Sequence, residues 1–148
     1  MKTRTLAVLA ITALSISAMS SVWADDTKAY TEGTVTSVTS IRTKPGMYDA
    51  YLKWLDTTGK QLREDEKKAG IILDYAVYSA TPRTPQDPDL YLTITFKNMA
   101  ALDGLDDRVE PLMKKIFASR DAAAKADAER GSLRDVLGTE LIRRLELK

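Results

Sequence analysis

The sequence contains neither cysteine nor histidine. Without cysteine the chain can form no disulfide and no thiolate metal site, so packing alone must hold the fold. Without histidine it lacks the usual imidazole ligand of haem and zinc, and the base of Ser-His-Asp and Cys-His catalytic systems. A metal would need an all-oxygen site, and the sequence has no EF-hand-like spacing of acidic residues. We therefore expect no cofactor and no metal.

The chain also lacks an excess of either charge. It carries 22 Lys and Arg against 21 Asp and Glu, for a formal net charge of +1 over 148 residues. A near-neutral protein has no electrostatic reason to bind nucleic acid or an anionic membrane surface. Its length suits one domain of ordinary size.

The N-terminal segment has the three parts of a secretory signal peptide. Lys2 and Arg4 precede an apolar run over 6–16, and small residues lead to Ala24. The alternative is a membrane anchor, which is disfavoured because a spanning helix needs about 20 apolar residues and serines crowd the second half of this segment. We predict cleavage after Ala24 and export of the chain 25–148 to the periplasm or the medium, with no membrane partner after cleavage.

A strand, a sharp turn and a helix are predicted next. Residues 33–43 are rich in Thr and Val, which favours a strand, and an apolar spacing of three predicts a bulge near Ser37. Pro45 and Gly46 then form a tight turn. Beyond the turn, apolar side chains recur at spacings of three and four, which predicts one amphipathic helix ending at Gly70.

Aromatic side chains are concentrated in the first turns of that helix. They are Tyr48, Tyr51 and Trp54. One interpretation is that they line a ligand site, and the other is that they belong to the core. We favour the core because aromatic residues at helical spacing usually pack there.

The middle of the chain predicts two more strands. Residues 71–79 are too short and too bulky for a helix between the flanking breakers, so they predict a strand, and three prolines make 81–89 a surface loop. Residues 90–97 alternate regularly and predict the third strand. One face of this strand is apolar and carries Leu90, Leu92, Ile94 and Phe96.

The last third predicts helices and a closing strand. Asn98 is most simply the cap of a short helical turn. Residues 107–110 resemble a capping box at the start of a helix, and a weakly amphipathic, Ala-rich helical segment follows over 118–130. The pair 131–132 interrupts it, and 136–147 alternate as the final strand.

The order strand, helix, strand, strand, helix, strand predicts a ferredoxin-like βαββαβ fold of the α+β class. It has one four-stranded antiparallel sheet covered on one face by two helices. The apolar face of the strand 90–97 is the one we expect the helices to cover. The other face is polar but aromatic, and pairing it with a second copy would make it the inside of a barrel. Residues 1–24 would be the cleaved signal peptide and 25–148 a single domain.

The run from Ile41 to Trp54 resembles the opening of dimeric α/β-barrel proteins, among them NIPSNAP-like, EthD-like and antibiotic-biosynthesis-monooxygenase-like groups. Their first strand leads through a Pro-Gly turn into a helix with aromatic residues. The strand 90–96 and the segment 98–102 also suit their third strand and second helix. The resemblance implies a homodimer, and often a ligand cavity between sheet and helices or within the barrel. It implies no reaction, because the haem-ligand histidine of haem- and chlorite-degrading members has no counterpart here.

Two functions stay open. The first is an exported dimer that binds a small ligand, for example an aromatic one, or a partner protein without catalysis. A few polar groups converging in an apolar surround make such pockets. The candidate ligand contacts are Asp74, Tyr78, Tyr91, Arg42, Arg144 and Trp54.

The alternative is a cofactor-independent monooxygenase or isomerase acting on a small aromatic or quinol-like substrate. In that case Asp74 would be a base of raised pKa. A purely structural interpretation instead pairs Asp74 with Arg42 or Arg144 at the dimer seam. An enclosed Asp74 without an arginine in reach would favour the enzyme, and an ion pair would favour the structural role.

Overall fold

Four strands form one antiparallel sheet in the computed structural model, which describes residues 28–148. The strands are β1 (Tyr30–Thr43), β2 (Asp74–Ser79), β3 (Leu90–Phe96) and β4 (Arg134–Leu147). They lie in the order β2-β3-β1-β4, which confirms the predicted ferredoxin-like α+β fold. The predicted signal peptide, 1–24, lies outside the described residues.

Helical segments connect the strands. They are α1 (Tyr48–Trp54), a π turn (Leu55–Gly59), α2 (Lys60–Lys68), a 3₁₀ turn (Met99–Leu102), α3 (Leu105–Phe117) and α4 (Arg120–Leu133). The predicted helix after the Pro-Gly turn is therefore divided by a π turn. The Thr57 hydroxyl donates to the carbonyl oxygens of Lys53, at 2.9 Å, and Trp54, at 3.2 Å. Such side-chain bonds to the preceding turn disturb regular helix geometry.

The helices pack on the sheet face that carries the apolar side of β3, which we call the covered face. Leu90 and Phe96 at the two ends of β3 are buried, and each lies opposite a buried residue of β1, Ile41 and Val35 respectively. Two small core clusters result. One holds Ile41, Tyr51 and Leu90, and the other holds Ile71, Ile72 and Phe96. The prediction of which face the helices cover is confirmed.

The opposite side of the sheet, which we call the open face, carries Thr36, Val38, Tyr78, Tyr91, Thr93, Thr95 and Ile142. Its threonines bond across strands, as in the 3.2 Å contact between the hydroxyls of Thr36 and Thr95. Tyr78 is 56 % exposed and Ile142 is 50 % exposed. The open face is thus a mixture of hydroxyl, aromatic and aliphatic groups in contact with water.

The strands β1 and β4 extend beyond the four-stranded part of the sheet. β3 pairs with β1 only over 35–41, whereas β4 pairs with β1 from Tyr30 to Thr43. Residues 30–34 and 144–147 therefore form a two-stranded ribbon, which we call the β1–β4 extension.

The predicted bulge near Ser37 is wrong. Ser37 is in regular register with both of its neighbours, and the register shifts lie between Glu32 and Val35 and between Ser40 and Ile41, against β4 only. The apolar spacing of three that suggested the bulge has another cause. Val35 and Ile41 point to the covered face, whereas Val38 lies on the open face, so the spacing records residues on both sides of a regular strand.

Some helix boundaries also differ from the prediction. The Asn98 cap is confirmed, because its side-chain oxygen accepts a hydrogen bond from the Ala101 amide at 3.0 Å. α3 begins two residues before Asp107, directly after Gly104. Gly104 has a φ of 60°, a conformation that glycine adopts without steric cost. At the far end, residues 131–132 do not interrupt α4, and the Ser132 hydroxyl instead donates to the Glu129 carbonyl at 2.6 Å.

Candidate functional site

A cavity of about 320 Å³ lies between the covered face and the helices. Most of its lining is apolar and comes from the sheet and from the helical segments packed on it. The apolar lining residues include Ile41, Leu55, Leu62, Val77, Leu92, Ile94 and Val136. This size and lining are typical of a site for a small organic molecule.

The π turn shapes one wall of the cavity, with Trp54 just before it and Gly59 at its end. A Cβ atom on Gly59 would lie 3.2 Å from Cζ3 of Trp54, closer than side chains normally approach. Glycine therefore allows the indole to lie against the helix. The Trp54 ring also stacks on Tyr51, with ring centroids 6.3 Å apart and planes 12° apart. π turns often occur at functional sites in proteins, and this one borders the cavity.

Several polar side chains in the lining are basic. They are Lys60, Arg63, Arg130 and Arg134. Of the described residues that line the cavity, none is Asp or Glu. The cavity wall therefore concentrates positive charge in a chain whose total charge is nearly balanced.

Three of these bases are neutralised by nearby carboxylates. The pairs are Lys60 with Asp56, Arg63 with Glu66 and Arg130 with Asp127, at 3.2, 2.5 and 2.5 Å. Within residues 28–148, Arg134 has no such ion pair. Its guanidinium lies 5.6 Å from the centre of the Tyr51 ring, and that of Arg130 lies 5.0 Å from the Trp54 ring. Each arginine thus makes a cation–π contact, Arg130 with Trp54 and Arg134 with Tyr51.

Around Arg130 and Arg134, which we call the arginine end of the cavity, some hydrogen-bond donors are buried without an acceptor. In the described part of the chain, the Nε atoms of Arg130 and Arg134 and the hydroxyl of Tyr51 have no hydrogen-bond partner. Burial lowers the pKa of Arg134 and raises the pKa of Tyr51. An unpaired buried donor costs free energy, and a charged donor costs more than a neutral one. This end of the cavity can therefore hold a group that accepts hydrogen bonds and carries negative charge.

The predicted site residue Asp74 does not lie in the cavity. It is exposed at the edge of the open face, and Lys67 donates to its Oδ1 at 2.8 Å. That hydrogen bond lowers the pKa of Asp74. The prediction of a raised pKa is wrong, and so is the prediction of an arginine partner, because the lysine at the end of α2 reaches Asp74 instead.

Arg42 and Arg144 are paired elsewhere. The Arg42 guanidinium lies 3.2 Å from Asp135, in a second cleft of about 450 Å³ beside the proline-rich loop 81–89. Arg144 lies on the β1–β4 extension, 2.8 Å from Glu146. Each arginine is thus satisfied by its own strand or its neighbour, at a distance from Asp74.

The predicted tyrosines lie together, but outside the cavity. Tyr78 and Tyr91 are directly opposite each other on β2 and β3, on the open face. Of the six predicted site residues, only Trp54 lines the cavity. Arg130 and Arg134 were missed because the predicted helix ended at 130 and the predicted strand began at 136, which left Arg134 in a loop. Their spacing of four residues was the available signal.

Metal ligation and membrane insertion receive no support from the described residues. Residues 28–148 bring together no group of three or more acidic residues that would hold a metal ion. Over the same range, every helix is too short or too polar to cross a membrane.

No protein-family model matches the chain, and no curated protein matches it. Solved structures do. HapK from Hahella chejuensis is 14 % identical with a TM-score of 0.51, and the match covers 74 % of this chain and 91 % of HapK. A dimeric ferredoxin-like protein from an uncultured marine organism is 10 % identical with a TM-score of 0.48, covering 80 % and 90 %. A candidate antibiotic biosynthesis monooxygenase from Chloroflexus aurantiacus is 15 % identical with a TM-score of 0.42, covering 75 % and 92 %. At these identities the likeness shows the fold alone.

Proposed function

We propose that the protein is an exported homodimer of the dimeric α/β-barrel type, NIPSNAP-like or EthD-like, that binds a small ligand without transforming it. The observation that carries this proposal is the cavity on the covered face. Its lining is mostly apolar, and two of its arginines, Arg130 and Arg134, lie against the rings of Trp54 and Tyr51. That combination gives both affinity for an apolar body and a fixed orientation.

The dimer is supported by the exposed apolar side chains of β4. They are Val136, Leu137, Leu141, Ile142, Leu145 and Leu147. Ile142 points to the open face and Leu141 to the opposite face, and a strand with apolar residues on both faces is typical of one buried on both sides. A two-stranded ribbon such as the β1–β4 extension is marginally stable in water by itself. A second copy of the chain would bury these groups.

Binding is favoured over the alternative, a cofactor-independent monooxygenase or isomerase. Such an enzyme would need a base within reach of its substrate. The carboxylate predicted for that role, Asp74, is solvent-exposed and paired with Lys67. Tyr75 lines the cavity, but burial and its hydrogen bond to Glu64 raise its pKa to about 12, so it stays protonated at neutral pH.

The proposal is tested with two tryptophan substitutions at neighbouring positions of β2. Val77 lines the cavity, whereas Tyr78 points to the open face. Native mass spectrometry gives the oligomeric state and any co-purified ligand, and calorimetry measures the binding of aromatic carboxylates and their neutral amides. We expect a dimer, and we expect Val77→Trp to weaken binding by about tenfold or more because it fills the cavity.

The matched control is Tyr78→Trp, which we expect to bind the same probes as the unaltered protein. Equal loss in both variants would contradict ligand binding in the cavity. A monomer at micromolar concentration would contradict the dimer.

A further inference from the structure

We infer that the ligand is a small organic monoanion with an apolar or aromatic body, and that Arg134 binds its anionic group. The inference rests on the proposed function, because it names the chemical class of molecule that the same cavity accepts.

The charge balance of the cavity is the first argument. Four basic side chains line it, and none of the described lining residues is acidic. Three of the four have carboxylate partners outside the lining, at Asp56, Glu66 and Asp127. Within residues 28–148 that leaves one positive charge, on Arg134, without an ion pair. An anion with a single charge would balance it, whereas a phosphate dianion or a polyanion would not be balanced.

The setting of Arg134 is the second argument. Its backbone lies at the start of β4, opposite Thr43 of β1, so its side chain leaves the sheet on the covered face together with Ile41 and Val136. The Tyr51 ring lies beneath the guanidinium at 5.6 Å, and Tyr51 is fully buried. The contact with the ring uses none of the guanidinium's N–H groups, and two N–H groups along one edge can form parallel hydrogen bonds to a carboxylate.

The third argument is that the arginine donors are short of acceptors. The Nε of Arg134 is buried without a partner in the described part of the chain, and so is the Nε of Arg130, one helical turn earlier. Partial burial already penalises the Arg134 charge. A carboxylate at this end of the cavity would remove that penalty by accepting the hydrogen bonds and supplying the opposite charge.

The rest of the cavity defines the body of the ligand. Trp54, Leu92 and Val77 offer aromatic and aliphatic surface beyond the arginines. A volume of about 320 Å³ is at the small end of the range for ligand sites, which suits one or two rings. Aromatic carboxylates of that size combine both features.

The experiment compares acids with their neutral amides. Benzoate, 2-naphthoate and indole-3-acetate are each titrated by calorimetry alongside benzamide, 2-naphthamide and indole-3-acetamide. In the unaltered protein we expect at least one acid to bind about tenfold or more tightly than its amide, as a hydrogen-bonded charge pair requires. We expect Arg134→Gln to remove that preference by weakening the acid, while the amide changes by about twofold or less.

Two further variants serve as controls. Arg144 lies on the β1–β4 extension, where its side chain is 70 % exposed and paired with Glu146. Arg144→Gln should therefore leave the preference for acid over amide unchanged. Arg134→Lys keeps the charge but not the planar fork, so the preference should fall between those of the unaltered protein and Arg134→Gln. Circular dichroism checks that each variant is folded.

A measurement on the unaltered protein alone covers the case in which Arg134→Gln does not fold. As the pH falls below the ligand's own pKa, the acid becomes neutral and its advantage over the amide should vanish.

The outcomes separate the two hypotheses. Equal affinity for acid and amide, or a preference that survives in Arg134→Gln, would overturn the role of Arg134 and leave the binding cavity standing. Failure of all six probes to bind would overturn the binding cavity as well.

Discussion

The covered and open faces come from the same four strands, yet their charged side chains differ in whether they have an ion-pair partner. On the open side and its edges, each predicted charged residue is paired. The pairs are Arg42 with Asp135, Asp74 with Lys67, and Arg144 with Glu146. On the covered face, within residues 28–148, Arg134 lacks an acidic partner. Water and flexible neighbouring side chains satisfy charges on an exposed face. Burial excludes both, so a buried charged group without a partner is the better indicator of a binding site.

The largest effect that would test this contrast is expected at the centre of β3. Ile94 packs on the core cluster of Phe96, whereas its neighbour Thr93 lies on the open face. Ile94→Asp places an unpaired charge in this partly buried site and should destabilise the fold by about 4 kcal/mol, a large part of the stability of an ordinary domain. Thermal denaturation followed by circular dichroism measures this, with Thr93→Asp as the milder control. A normally melting Ile94→Asp protein would show that the two faces have been assigned the wrong way round.

A smaller effect is expected on the open face at Ile142, which is half exposed on β4. Ile142→Asp should change the folding stability of a monomer by about 0.5 kcal/mol or less, because the site is not in the core. It should raise the dimer dissociation constant by about tenfold or more if a second copy covers this face. Sedimentation equilibrium measures that constant. An unchanged dimer dissociation constant would mean that no second copy covers the open face and that water does.

The smallest expected effect is on the pH dependence of folding stability, which should differ between a buried carboxylate and an exposed one. Glu66 on α2 is 2 % exposed, and burial raises its pKa above the ordinary 4.5, although Arg63 opposes this. The folded state then holds the proton more tightly than the unfolded state, so stability rises as the pH falls through the raised pKa towards 4.5. Asp74 has its pKa lowered by Lys67, so its contribution is present above 3.8 and is lost as the pH falls through the lowered value.

Chemical denaturation across pH measures both signs. Compared with Glu66→Gln, the unaltered protein should gain stability as the pH falls from neutral towards 4.5. Compared with Asp74→Asn, it should lose stability only in stronger acid. The same trend for both pairs would contradict the difference in burial.

The fold was predictable because its signals are local. The alternation of β3 identified the covered face, and Pro45 and Gly46 marked the turn that leads into α1. The cavity was not predictable, because its walls meet only after folding. Arg134 is polar, near a glycine and 80 residues beyond Trp54, so nothing in its neighbourhood indicates that it faces a cavity. The predicted site instead followed tyrosines and charges on an alternating strand, which are visible in sequence but exposed in the structure.

The π turn between α1 and α2 has a consequence for how this protein can diverge. A π turn corresponds to one residue inserted into an α-helix, and each residue rotates a helix by about 100°. Because the turn takes up that extra residue locally, loss of one residue from 55–59 would restore a continuous helix and leave Leu62 and Arg63 facing the cavity, while the sheet and its register stayed as they are. A single-codon deletion or insertion can therefore remove or restore the bulge and reshape the wall beside Trp54 and Gly59 while the rest of the lining stays in place, a step that substitution of individual lining residues does not reproduce.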